Sequence, residues 1–210
     1  MSVNIRKIAP EEIEAESFRI IEEELGPHNF DPFTFKVVQR VIHATGDFSF
    51  VENMRFHSQA VPLAIEAVRS GKNVLTDVNM VAAGVSSGLL SRFGGEVRCL
   101  VADQEVARVA EDSGRTRSAV AIELGLRNNT GIVAIGNAPT ALLAAMDCLA
   151  GMSPEDRPVI IGVPVGFVNA AESKVLLEEA GYPFITSLGR KGGSPVAAAV
   201  VNAVVRLAAV

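Results

Sequence analysis

The sequence predicts an α/β protein built as a single domain over residues 1–210, with a mostly parallel sheet of about five strands flanked by helices. Three observations predict it. Short, nearly continuous apolar runs recur along the chain, as in strands covered on both faces of a parallel sheet. Helical patterns lie between these runs, and most are closed by a glycine. The chain has 210 residues, 49% hydrophobic and 20% charged, which suffices for one well-buried core, is short for two domains, and is too apolar for extended disorder.

The elements follow in order. Two helices come first, one from residue 10 to about 24 and one from 31 to about 43. Strands are expected at 73–76, 97–101, 132–135, 159–161 and 184–187. Between them, helix 59–70 stops at Gly71, helix 103–112 near Gly114, helix 139–150 at Gly151 and helix 169–180 at Gly181. A last helix opens at Ser194-Pro195, read as an N-cap followed by proline at the first helical position. Alternation of strand and helix makes the winding Rossmann-like. No linker, repeat or low-complexity tract divides the chain.

Composition excludes several functions. The net charge is −5, against the basic footprint of a general nucleic-acid binder. No apolar run reaches the roughly 18–20 residues of a membrane span, and the N-terminus carries acids where a signal peptide needs an apolar stretch. Cys99 and Cys148 lack paired spacing, and His28, His43 and His57 are scattered, so neither a metal site nor a redox cofactor is expected. Two core thiols in a reducing cytoplasm are the simple reading.

In an open α/β sheet, ligands sit beyond the carboxyl ends of the strands. Helix 31–43 is the most informative element. Val37, Val38, Val41 and Ile42 share one face, and Lys36, Arg40 and His43 share the opposite one. His43 lies at the helix end, where the dipole favours a cation. That face is either a general acid beside two anion-binding side chains or an ordinary solvated surface. Gly189-Arg190-Lys191-Gly192-Gly193-Ser194 follows a strand and opens a helix, so it reads as an anion site or a basic capping turn. It has neither P-loop nor dinucleotide-fingerprint order. Arg115 and Arg117 sit in another basic loop, where Thr116 or Ser118 is a candidate helix cap. Asn137 is read as a helix cap. Asp77 is read as a ligand-orienting group or as a cap on the helix from Met80. Gly162-Val163-Pro164-Val165-Gly166-Phe167-Val168 is too apolar for acid–base work and suits the wall of a pocket for a large apolar ring.

Four segments together resemble the precorrin-8X methylmutase family: Arg40-Val41-Ile42-His43-Ala44-Thr45-Gly46-Asp47, Gly136-Asn137-Ala138-Pro139-Thr140-Ala141-Leu142, the 162–168 segment and the 189–194 segment. They occur in order over nearly the whole chain. The resemblance implies a cytoplasmic homodimeric α/β isomerase of cobalamin biosynthesis, needing no cofactor. Its reaction would move a methyl group from C-11 to C-12 of the tetrapyrrole precorrin-8X by a [1,5]-sigmatropic shift, giving hydrogenobyrinate. A cobalt-containing counterpart belongs to the anaerobic route. The family's histidine falls on His43, and its substrate contacts fall on Ser17 and Arg40. Electrostatics adds Arg115, Arg117, Arg190 and Lys191 as partners for the substrate's carboxylates. The very apolar stretch 196–210 is a further reason to expect a dimer. Two rivals stand beside this reading. A methyltransferase would need a donor-binding glycine loop after the first strand, and a non-catalytic corrinoid carrier would have no use for His43.

Overall fold

The computed structural model describes residues 7–210. Helix α1 (Ile13–Leu25) is entered through a 3-10 turn, Pro10–Glu12, and is followed by α2 (Pro32–Thr45) and the short α3 (Phe50–Asn53). Then come β1 (Met54–Phe56), α4 (Ala60–Arg69), β2 (Asn73–Thr76), α5 (Asn79–Gly84), α6 (Ser87–Leu90) and β3 (Val97–Arg98). The second half runs α7 (Gln104–Ser113), α8 (Arg117–Gly125), β4 (Thr130–Ile135), α9 (Pro139–Ala150), β5 (Val159–Gly162), α10 (Ala170–Glu179), β6 (Phe184–Ser187) and α11 (Ser194–Ala208).

The single sheet has the order β1-β6-β5-β4-β2-β3. All neighbours are parallel except β1, which pairs antiparallel with β6. The parallel strands thus wind in both directions from β2 and β4, the flavodoxin-like version of a doubly wound sheet, and the switch point lies between those two strands. Right-handed crossovers then place the helices. Helices α5 and α6, between β2 and β3, fall on one face, where Val81, Val85 and Leu90 pack with α2, α4 and α11. Crossovers in the other direction put α8 and α9 on the opposite face, where Ile122, Leu142 and Leu149 pack over Leu75, Val133 and Ile135.

Four expected strands appear nearly as read, because β2, β4, β5 and β6 are buried apolar runs. The sixth strand, β1, is an addition to the expected five: it has only three residues and lies on the edge. The expected strand 97–101 shortens to two residues, half-buried at the other edge. Ser194 is not an N-cap. It is the first residue of α11, and the capping position belongs to Gly193, whose φ of 116° suits glycine. Asn137 does not cap α9 either; Ala138 holds that position without a side-chain bond.

The apolarity of 196–210 is consumed within the chain. Helix α11 is a central element whose Val196, Val200, Val201, Val204 and Val205 are buried among α2, α4 and α5. Each such valine stabilises the fold by roughly 1.5 kcal/mol or more. A dimer therefore needs a reason other than this helix. The two thiols, Cys99 and Cys148, are free and half-buried at the margins of packing rather than within the core. Among the described residues, no helix is long and apolar enough to cross a membrane.

Candidate active site

Helix α2 forms as its sequence dictates. Asp31 accepts hydrogen bonds from the Phe33 and Thr34 amides at 3.0 and 3.1 Å, Pro32 opens the first turn, and Gly46 closes the last in left-handed conformation. The stripe of Val37, Val38, Val41 and Ile42 is fully buried against the core. This fixes Arg40 and His43 on the other side, facing α1. The Arg40 guanidinium forks onto Glu14, with its two terminal nitrogens donating to Oε2 at 2.8 Å and Oε1 at 3.2 Å. It also lies over the Phe18 ring, 4.5 Å from the centroid. The same ring meets His43 edge-on, with centroids 5.2 Å apart. Arg40 and His43 are thus gathered round one phenyl ring, and Ser17 precedes that ring on α1. The Ser17 hydroxyl donates to the Ile13 carbonyl at 2.8 Å. Lys36 lies nearer the start of α2 and donates to Gln39 at 3.1 Å. The Arg40 hydrogen bond holds the Glu14 carboxyl below the usual carboxylate range, with help from the charge of Arg206. His43 itself is exposed.

The loop 189–193 comes to the same end of α2. Lys191 donates to Asp47 at 2.6 Å and to Ser49 at 2.9 Å, which ties the loop to the connection just after His43. This contact and the Ser49 bonds hold the Asp47 carboxyl down to about 2. Arg190 lies 5.1 Å over the ring of Phe167 in the β5–α10 loop. Phe167 is 83% exposed and Val168 77%, and Met80, beyond the end of β2, is 70% exposed. The carboxyl end of the sheet therefore presents apolar groups beside cations.

At the switch point Asp77 takes neither expected role. It is fully buried and accepts from the amides of Gly136 (3.0 Å), Asn137 (2.8 Å) and Ala138 (2.8 Å). Burial raises its carboxyl above the usual range, against the pull of those three donors. The backbone amides at the start of α9, where a doubly wound protein binds phosphate, are thus filled by the chain's own carboxylate. Gly136 is required here, because a Cβ would stand 2.8 Å from Ser194 Cα.

Arg115 and Arg117 lie in another layer. Arg115 forks onto Glu123, Thr116 caps α8, and the Thr116 and Thr140 hydroxyls are 2.9 Å apart. Arg117 is exposed on the first turn of α8. Within one chain these two arginines are on the face of the sheet opposite Arg40 and His43. Sequence reasoning missed Glu14, Phe18, Asp47 and the buried Lys174. The one available signal was that Glu14, Phe18 and Ile21 share a face of α1 at i, i+4 and i+7.

The model of the precorrin-8X methylmutase family matches residues 12–207. The chain belongs to this family. Cobalt-precorrin-8 methylmutase of Priestia megaterium is 43% identical over 203 residues, covering 96% of this chain and 89% of that protein. Precorrin-8X methylmutase of Pseudomonas aeruginosa is 42% identical over 171 residues, 80% of this chain and 81% of the relative. The crystal structure of the precorrin-8X methyl mutase from Thermus thermophilus superposes with a TM-score of 0.85 at 42% identity, covering 95% of this chain and 96% of the other. The segment from Arg40 to Asp47 holds both the side chains gathered round Phe18 and the carboxylate that receives Lys191.

Proposed function

We propose that this chain is a precorrin-8X methylmutase, an isomerase of cobalamin biosynthesis that moves the methyl group from C-11 to C-12 and yields hydrogenobyrinate. The observation that carries the reading is the convergence of Arg40 and His43 on the ring of Phe18, at the sheet end where Lys191 and Arg190 also lie. His43 donates a proton to the macrocycle, making the conjugated system more electrophilic. The methyl group then migrates with its bonding pair within the ring system, and the proton returns, so substrate and product are isomers. General acid help of this kind contributes about 10² to 10⁴ in rate. Holding the ring in the reactive conformation supplies the rest. Ser17, Arg40, Arg190 and Lys191 hold the acetate and propionate rim, and Arg115 and Arg117 are further carboxylate partners.

The exposed Met80, Phe167 and Val168 give a flat macrocycle one apolar wall. A second copy supplies the opposite wall, so the enzyme works as a homodimer. A second copy also offers a way for the distant Arg115 and Arg117 to reach a substrate. Sedimentation of an active, purely monomeric protein at micromolar concentration would contradict this. We place the reaction in the cytoplasm, in keeping with two free thiols.

A second reading, the cobalt-containing substrate of the anaerobic route, is favoured by the relative that is 43% identical over 96% of this chain. A methyltransferase is disfavoured by Asp77, which fills the switch-point amides. Incubation of the purified protein with precorrin-8X, and separately with its cobalt form, tests these readings. Conversion to the corrin spectrum without added cofactor is expected. Binding without any spectral change over many hours would leave a corrinoid carrier instead.

A further inference from the structure

Lys174 lies on the inner face of α10 with Ala170, Ser173 and Leu177, and its side chain is fully buried. Its ammonium donates to a single acceptor, the Lys191 carbonyl, at 2.7 Å. Among the described residues no carboxylate pairs with it, and burial alone brings its pKa down to about 8. An apolar side chain of the same length would fill this space without the cost of desolvating a charge. What the ammonium holds is therefore the informative point.

The Lys191 carbonyl also accepts from the Ser187 hydroxyl at 3.1 Å. The loop around it is pinned at every step. The Gly166 amide donates to the Arg190 carbonyl at 3.3 Å, and the Gly193 amide to the Val163 carbonyl at 2.8 Å. At Gly192 a Cβ would come within 2.2 Å of the Val163 carbonyl oxygen. Yet the side chains of Arg190 and Lys191 stand outside, one over Phe167 and the other on Asp47 and Ser49. A backbone held from beneath with cations outside would meet an anion with little reorganisation.

We propose that Lys174 is a positioning residue for substrate binding: by holding the Lys191 carbonyl from below, it fixes loop 189–193 in the shape that presents Arg190 and Lys191 to the carboxylate rim. This rests on the reading that those two cations meet the substrate. Lys174 does not touch the reacting atoms. Its loss acts on binding, raising KM while kcat stays within a few-fold.

The test is a double-mutant cycle in the full-length protein, with hydrogenobyrinate as the titrated probe and turnover of precorrin-8X as the second readout. The variants are Lys174→Met, Arg190→Ala and both together. Lys174→Met is expected to fold with undiminished thermal stability and to bind about ten-fold more weakly, with KM raised and kcat nearly kept. In the Arg190→Ala background, the same change should cost clearly less than ten-fold, because one of the two cations it positions is gone. Full additivity of the two losses would overturn the proposal. So would Lys174→Met binding like the parent while Arg190→Ala is weakened, with the binding role of the loop left standing. If Arg190→Ala and Lys191→Ala both bind like the parent, the loop reading fails and Lys174 with it. Should Lys174→Met not fold, Ser187→Ala removes the other donor to the same carbonyl. It must weaken binding in the same direction, and parental binding there overturns the proposal.

Discussion

Replacing Asp77 by alanine removes a fully buried carboxylate and leaves the amides of Gly136, Asn137 and Ala138 without their acceptor. A hydrogen bond to a charged group is worth about 1.5–3 kcal/mol net. The three do not add to their full sum, because burying the carboxylate is itself costly, as its raised pKa indicates. Asn137 is also exposed enough for water to reach its amide. A loss of about 3–5 kcal/mol follows, since a buried donor left without its acceptor costs about 1–3 kcal/mol and water reaches one of the three. Against a total stability of roughly 5–15 kcal/mol this is severe. At about 2–4 °C per kcal/mol for a chain of this size, the melting temperature should fall by roughly 6–20 °C. Asp77→Asn keeps one accepting oxygen and should lose about half as much. The pH dependence has a definite sign. With the folded pKa above the ordinary 3.8, the parent binds more protons folded than unfolded just above that pH, so its stability falls as pH rises through this window. The asparagine variant lacks that decline. Urea and thermal denaturation at several pH values measure all of this. An alanine variant that loses less than about 1 kcal/mol would refute the view that Asp77 holds the switch point together.

Two further outcomes are expected. Glu14→Gln removes the formal charge that occupies Arg40 in the free protein, so hydrogenobyrinate should bind several-fold more tightly in calorimetric titration. Unchanged or weaker binding would show that Glu14 does not compete with the substrate. Lys174→Met should raise stability at pH 7, since the gap between about 8 and the ordinary 10.5 corresponds to at most about 3.5 kcal/mol. The folded pKa is the lower one, so the parent gains stability as pH climbs from about 8 towards 10.5 and the difference closes. Denaturation curves that stay parallel across that range would contradict this.

The legible parts of the fold were those whose signal is local. The largely buried strands β2, β4, β5 and β6 announce themselves as mostly apolar runs. Helix α2 carries its cap, its proline, its buried stripe and its closing glycine within sixteen consecutive residues. Strand β1 was not legible because three edge residues have no periodicity to read, and its partner Ser187 is far along the chain. The apolar character of α11 pointed outward to a partner, whereas the chain itself wraps that helix. The site divides in the same way. Helical spacing puts Arg40 and His43 on one face, but Glu14 meets Arg40 across 26 residues and Asp47 meets Lys191 across 144. Asp77 is the sharpest instance. A carboxylate at a strand end suggests a ligand or its own helix, and its real partners lie 59 to 61 residues onward. Such pairings are set by the winding of the sheet, which local pattern does not contain.

His43 is the residue on which the proposed proton transfer depends. His43→Ala keeps a good helix former in α2 and leaves Arg40, Arg190 and Lys191 in place. Equilibrium binding of hydrogenobyrinate and single-turnover conversion of precorrin-8X should be measured on the same preparation. The prediction is binding close to that of the parent, with conversion slowed by about 10² or more. Conversion within a few-fold of the parent would contradict a proton-transfer role for His43 and leave confinement of the macrocycle as the whole of the catalysis.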